Sequence, residues 1–171
     1  MKKTFLIALC LCMSASVFSQ RMSKDKNLLI SSIEKHKEEL IKISDSIWAL
    51  AETAFDETES SRILADYAEK NGLTVTRGVA DIPTAFTATY GSGSPVISIL
   101  GEFDALPGIS QKTSPVKEPF KEGAAGHGCG HNMFGTASLG SAIAIKELMD
   151  AGKITGTVKF LGTPAEEKYF A

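Results

Sequence analysis

The sequence predicts an α/β layered domain. Three helical segments alternate with four strand segments, and an acidic motif leaves the carboxyl end of each of two strands. Ligand and catalytic sites of such sheets form in the crevice outside those strand ends.

The first helix is expected over residues 27–54, where Leu29, Ile33, Leu40, Ile43, Ile47 and Leu50 recur at helical spacings, with Trp48 adding bulk. A second helix is expected over 57–70, stopped by Asn71-Gly72. Strands are expected over 73–77 and 85–90, the latter followed by a turn at Gly91-Ser-Gly-Ser94. Residues 95–100 form a continuous apolar run, as expected of a strand covered on both faces. From Gly101 to Gly130 the chain holds three prolines and six glycines and shows no periodicity; a connection of that length is usually functional or disordered. A third helix is expected over 132–151, closed by Gly152, and a last strand over 157–161. There is no internal repeat and no low-complexity tract.

The whole chain has 171 residues, 43% hydrophobic and 22% charged, enough for one domain with a real core. Its first twenty residues differ from the rest. Lys2 and Lys3 precede an apolar run, Phe5 to Met13, and Ser14-Ala-Ser16 and Val17-Phe-Ser19 supply small residues before a cut at Gln20. This reads as a secretory signal over 1–19, leaving 20–171 as the mature domain, exported to the periplasm or beyond. The run is too short to span a bilayer, which takes about 20 apolar residues. A buried core helix and a lipoprotein signal are the alternatives, but Cys10 and Cys12 each follow a leucine where lipid attachment wants a small residue.

Cleavage there takes two of the 18 basic residues and none of the 20 acidic ones, leaving a net charge of −4. Nothing in that balance attracts nucleic acid or an anionic membrane. Cys129 would remain as the single cysteine, so the mature domain is no disulfide scaffold.

Three segments carry chemistry. In Gly126-His-Gly-Cys-Gly-His131, glycines separate three ligand-capable side chains, and thiolate with imidazole suits zinc or a similar divalent ion. A flexible loop with an incidental thiol is the alternative. Glu166-Glu167 follows an apolar strand through Gly-Thr-Pro-Ala; the pair reads either as a solvated surface or as one metal ligand beside one general base. Glu102-Phe-Asp104 places two carboxylates two residues apart, able to share one face of an extended segment; Asp104 is either a group orienting a ligand or a turn residue before Leu106-Pro107. His36 reads as an ordinary half-buried histidine. His127 stays open between ligand, donor to a ligand, and loop residue.

These motifs, in this order, resemble peptidase family M20, subfamily D, the amidohydrolases. The resemblance rests on Gly101-Glu-Phe-Asp-Ala-Leu-Pro-Gly-Ile-Ser-Gln111, on Gly126-His-Gly-Cys-Gly-His-Asn132 with Gly135-Thr-Ala-Ser-Leu-Gly140, and on Gly162-Thr-Pro-Ala-Glu-Glu167. Residues 48–55 and 77–84 also resemble the branch that hydrolyses p-aminobenzoyl-glutamate, and the likeness covers roughly 27–167.

The resemblance implies a three-layer αβα zinc-peptidase-like catalytic domain, of which this chain is the N-terminal portion. It implies two divalent metal ions, zinc or manganese, and hydrolysis of an amide joining an acyl or aroyl group to an amino acid. Carried over residue by residue, Cys129, His131 and Glu167 match metal ligands, Glu166 the general base and Asp104 an orienting carboxylate. Glu102 stands where other branches place a metal histidine. Family members are longer; they add an inserted domain for dimer contacts and lid closure, and further metal histidines. The chain alone is therefore expected to be inactive, and the longer protein to be a homodimer or hetero-oligomer. Two alternatives remain: a cysteine hydrolase using Cys129 with His131 or His127, and a metal-binding remnant without turnover.

Overall fold

A computed structural model describes residues 23–168, so the expected signal segment lies outside the described residues. The expected alternation is present. Helix α1 spans Lys24–Leu50, α2 Thr58–Lys70 and α3 His131–Asp150. Strands β1 (Thr74–Arg77), β2 (Phe86–Ser92), β3 (Val96–Glu102) and β4 (Gly156–Thr163) form one sheet in the order β1-β2-β4-β3. β1 and β4 each run antiparallel to β2, while β3 and β4 run parallel, so both acidic motifs leave the same carboxyl end of adjacent strands.

Alternation fixes which sheet face is covered. Ala88 pairs with Phe160, and Tyr90 with Val158, on one face of β2 and β4. Ala88, Val158 and Phe160 join Leu64 and Ala68 of α2, and Leu139 and Ile143 of α3, in a single core. Ile43 and Ile47 of α1 reach the same core. Thr87, Thr89, Lys159 and Leu161 point the other way. Among the described residues all three helices contribute to one core on one sheet face, and the second helical layer of a three-layer domain is not among them.

Two expectations need correction. The apolar run of β3 is not covered on both faces: Val96, Ile97 and Leu100 are 56%, 51% and 51% exposed. β3 is an edge strand bonded only to β4, and no described element packs on the face that carries Val96 and Leu100. Helix α1 stops at Leu50 rather than running to 54, although no glycine or proline marks the spot. Ala51 turns left-handed (φ 44°), and the next residues serve other elements. The carbonyl of Glu52 accepts from Ala105 N at 2.8 Å, and its carboxylate accepts from Glu59 N and Ser60 N, capping α2 from outside the helix.

The third helix is seated against the strand end by two glycines. A Cβ on Gly135 would meet the carbonyl oxygen of Glu102 at 2.5 Å, and one on Gly101 would meet the Phe160 ring at 2.5 Å and Gly135 Cα at 3.2 Å. This contact sets the first turn of α3 beside the end of β3.

At the opposite end, a polar knot ties the helices together. Glu147 Oε1 of α3 accepts from Lys35 Nζ at 2.7 Å and lies 3.0 Å from His36 Nε2, while His36 Nδ1 lies 2.9 Å from the Tyr67 hydroxyl of α2. His36 is thus the structural histidine expected from its position. Partial burial pushes the Glu147 carboxyl up, but the hydrogen bonds from Lys35 and His36 outweigh it and hold it at about 2, against an ordinary 4.5. A lowered folded-state value stabilises above the unfolded one and is lost as pH falls through the folded one. Glu147→Gln should therefore cost on the order of 1 kcal/mol at pH 7, after discounting for solvent. Urea unfolding should show that gap narrowing between pH 4.5 and pH 2; a gap constant with pH would refute the assignment.

Candidate metal centre

Both acidic motifs and the glycine-rich loop converge on His131. The long connection after β3 is ordered by main-chain bonds: Leu106 and Gly126 exchange N–H···O contacts at 3.0 Å, and Ser110 N donates to Ala124 O at 2.8 Å. This folds the loop back on itself and delivers Gly126–Gly130 to the strand end. Gly130 takes φ 83°, a conformation glycine adopts without strain, and the helix begins at the next residue, His131.

His131 is 4% exposed. Its Nδ1 donates to Asp104 Oδ1 at 2.9 Å, which turns Nε2 toward the strand-end carboxylates. Nε2 faces three carboxylates: Glu102 Oε2 at 3.2 Å, Glu166 Oε2 at 3.8 Å and Glu167 Oε1 at 3.8 Å. Ligand atoms of Cys129, His131 and Glu167 lie within 4.8 Å of one another, and so do those of Glu102, His131 and Glu166.

Asp104 links the two halves of the cluster. It is 1% exposed, and its second oxygen, Oδ2, accepts from Glu167 N at 2.8 Å. One buried carboxylate therefore orients the imidazole and anchors the backbone of the Glu167 turn.

The residues fit a divalent cation. Glu167 Oε1 is buried without a hydrogen-bond partner, which is costly for a polar atom unless a cation completes it. Like charges press together: desolvation first, then Glu166, Asp104 and Glu167, push the Glu102 carboxyl up against the opposing pull of His131. Thiol, imidazole and carboxylate form a donor set that suits zinc.

The structure thus brings together every expected site residue: Glu102, Asp104, Cys129, His131, Glu166 and Glu167. His127 is separate. Its Nε2 donates to Ile47 O at 3.1 Å, which pins the loop to α1. Cys129 lacks the surroundings of an activated nucleophile. Desolvation and then Glu167 push its thiol up, and both nitrogens of His131 are engaged elsewhere. Beside the loop opens a cavity of about 740 Å³, lined by Trp48, Ile109, Lys112, Phe120, Lys121 and His127 among others. The Trp48 and Phe120 rings meet edge to face there, centroids 5.4 Å apart.

Sequence reasoning missed two residues of this region. Glu52 lies in the 48–55 segment and Glu57 just after it, neither with a ligand signature, and only the tertiary fold shows the first capping α2 and the second bonded to Ala165.

The chain is similar to known proteins over most of its length. Residues 99–170 match the family described as peptidase family M20/M25/M40. The chain is 45% identical over 137 residues to one of the subunits of p-aminobenzoyl-glutamate hydrolase from Escherichia coli (strain K12), covering 80% of this chain and 28% of that protein. It is 29% identical to the Xaa-Arg dipeptidase of Homo sapiens, covering 79% and 31% of the two chains. A solved Bacillus subtilis structure, described as a dinuclear metal binding peptidase from the M20 family, superposes with a TM-score of 0.66 at 26% identity, covering 78% of this chain and 36% of that one. The chain thus spans about a third or less of the length of the curated relatives it matches.

Proposed function

We propose, since this chain belongs to the M20 peptidase family, that the protein hydrolyses an amide between an acyl or aroyl group and an amino acid, with divalent metal at the His131 cluster. The observation that carries the reading is the buried Nε2 of His131 ringed by three carboxylates between 3.2 and 3.8 Å away. A divalent cation would be held by an imidazole and several carboxylates together, whereas a hydrolytic triad uses only one carboxylate.

Cys129, His131 and Glu167 would hold the ion, and Glu102 with Glu166 borders the second position of a two-metal centre, zinc or manganese. Bound there, the metal supplies Lewis-acid polarisation of the amide carbonyl. Glu166 takes a proton from the attacking water and returns it to the departing amine nitrogen. Asp104 keeps His131 in the tautomer that offers Nε2 and holds the Glu167 turn in place.

p-Aminobenzoyl-glutamate is the favoured substrate, with other N-acyl amino acids and dipeptides next. Support comes from the 45% identical relative and from the Trp48–Phe120 cavity, whose walls suit an aromatic acyl group and whose Lys121 suits a carboxylate. Export belongs to the same proposal, resting on Lys2, Lys3 and the apolar run after them. So does assembly into an oligomer, in keeping with the relative's being named as a subunit. Among the described residues, no helix is long and apolar enough to cross a membrane. Two ions need more ligands than this cluster offers, so the chain alone is proposed to bind metal without measurable turnover.

One titration tests the reading. Zinc should bind the purified chain and be stripped by chelator. p-Aminobenzoyl-glutamate should quench the single tryptophan, Trp48, more than N-acetyl-glutamate does. Absence of zinc binding would sink the metal reading, equal quenching the aroyl preference, and robust turnover by the chain alone the last claim.

A further inference from the structure

We propose that Glu57 is a positioning residue that fixes the Ala165–Glu167 turn and, through it, the aim of Glu166 and Glu167. The inference rests on the metal reading above for its functional consequence, but its geometric part stands alone.

Glu57 occupies the cap position of α2 and makes no capping bond there; Glu52 performs that task. Its side chain turns inward instead. The residue is 0% exposed, and Oε1 accepts from Ala165 N at 2.8 Å, across 108 residues of sequence. Oε2 is buried near the Thr84 hydroxyl and the Phe55 and Glu57 amides, which favour its charged form, but it makes no hydrogen bond of good geometry. Burial pushes the Glu57 carboxyl up. Such a group is a poor choice for packing alone, because an apolar side chain of similar volume fills the space without desolvation cost. Its acceptor geometry is what the site uses.

That acceptor meets the backbone at a strained residue. Ala165 has φ 61°, the left-handed region that a side chain with a Cβ rarely adopts. The sharp turn it makes directs consecutive carboxylates, Glu166 and Glu167, at one imidazole nitrogen, a convergence that an extended segment denies to neighbouring residues. The turn is pinned at two amides two residues apart: Ala165 N by Glu57 and Glu167 N by Asp104. Glu166 lies between the pins. Without Glu57 the first pin is gone, and Ala165 can relax to an ordinary φ that swings both carboxylates away.

Two substitutions separate reach from charge. Glu57→Gln removes the charge and keeps an oxygen at the same reach. Glu57→Asp keeps the carboxylate but is one methylene too short to meet Ala165 N. In the metal-free protein, hydrogen exchange should show the Ala165 amide protected in wild type and Glu57→Gln, and open in Glu57→Asp. Zinc affinity by competition with a chelating dye should stay within about threefold for Glu57→Gln and fall about 10-fold or more for Glu57→Asp, the range seen when a group behind a ligand is lost. A wild-type Ala165 amide that exchanges like an open loop would overturn the proposal without any variant. So would equal zinc affinity in wild type and Glu57→Asp, or a Glu57→Gln protein that loses more than Glu57→Asp. If wild type binds no zinc, the metal reading fails, and the exchange comparison still decides the role of Glu57.

Discussion

Glu167→Gln should weaken zinc binding by more than about 100-fold, a larger loss than outer-partner changes produce, whereas Glu166→Gln should leave it within a few-fold. In the turnover-competent protein, Glu166→Gln should instead lower kcat by about 10²–10⁴-fold, the contribution expected of a positioned general base. The two residues are neighbours and both stand 3.8 Å from His131 Nε2, so distance alone does not divide the roles. Burial and partners do. The Glu167 side chain is 11% exposed, its Oε1 has no hydrogen-bond partner, and it groups with Cys129 and His131. An oxygen in that state is suited to a cation as its partner. The Glu166 side chain is 32% exposed, within reach of solvent water, and groups with Glu102 and His131 rather than with Cys129. Glutamine retains a neutral carbonyl oxygen, a weak ligand and no base, so each substitution removes one function and little volume. Zinc competition and steady-state kinetics on the two variants separate the assignments; the reversed pattern would exchange the roles, and two identical variants would refute both.

How far the sequence could be read follows from what is local. The helices and strands were legible because their apolar residues recur at the spacing of the element; α2 and β2 differ from expectation by one or two residues. The end of α1 was not, because Glu52 stops it by serving Ala105 and α2, partners distant in sequence. The exposure of β3 was not, because a buried central strand and an apolar edge strand share one composition, and only pairing tells them apart. Within the site, Cys129, His131, Glu166 and Glu167 were legible because their chemistry is written into short motifs at strand and helix ends. Sequence left Asp104 between orienting group and turn residue, and its 2.9 Å contact with His131 is the contact an orienting group would make. His127 was ambiguous for the same reason, and its bond to Ile47 O assigns it to holding the loop. Glu57 was invisible: it has no motif, and its bond runs to a main-chain amide 108 residues away, which leaves no side-chain signature in the sequence.

Asp104→Asn should lower zinc affinity by about 10–100-fold, although asparagine has nearly the same shape as aspartate. The reason is acceptor count. Asp104 accepts twice, at Oδ1 from the imidazole 2.9 Å away and at Oδ2 from Glu167 N at 2.8 Å. Asparagine has one acceptor and one NH₂ group, so in either orientation it presents a donor to a donor. With its oxygen toward His131, the NH₂ group opposes the Glu167 amide and the turn loosens. Flipped, it opposes Nδ1, and the imidazole either rotates or moves its proton to Nε2, the atom that must stay bare to bind metal. At 1% exposure no water can repair either clash. An unsatisfied buried donor costs about 1–3 kcal/mol. One effect opposes this in the metal-free protein: removing a negative charge relieves the crowding of Glu102, Glu166 and Glu167. Metal-free stability is therefore the weaker readout, since the two contributions partly cancel, while zinc affinity loses on both counts. Zinc competition at pH 7 beside urea unfolding without metal separates them. An affinity unchanged from wild type would show that Asp104 orients neither ligand, and that the convergence of His131 and Glu167 depends on the glycine contacts and the Glu57 anchor alone.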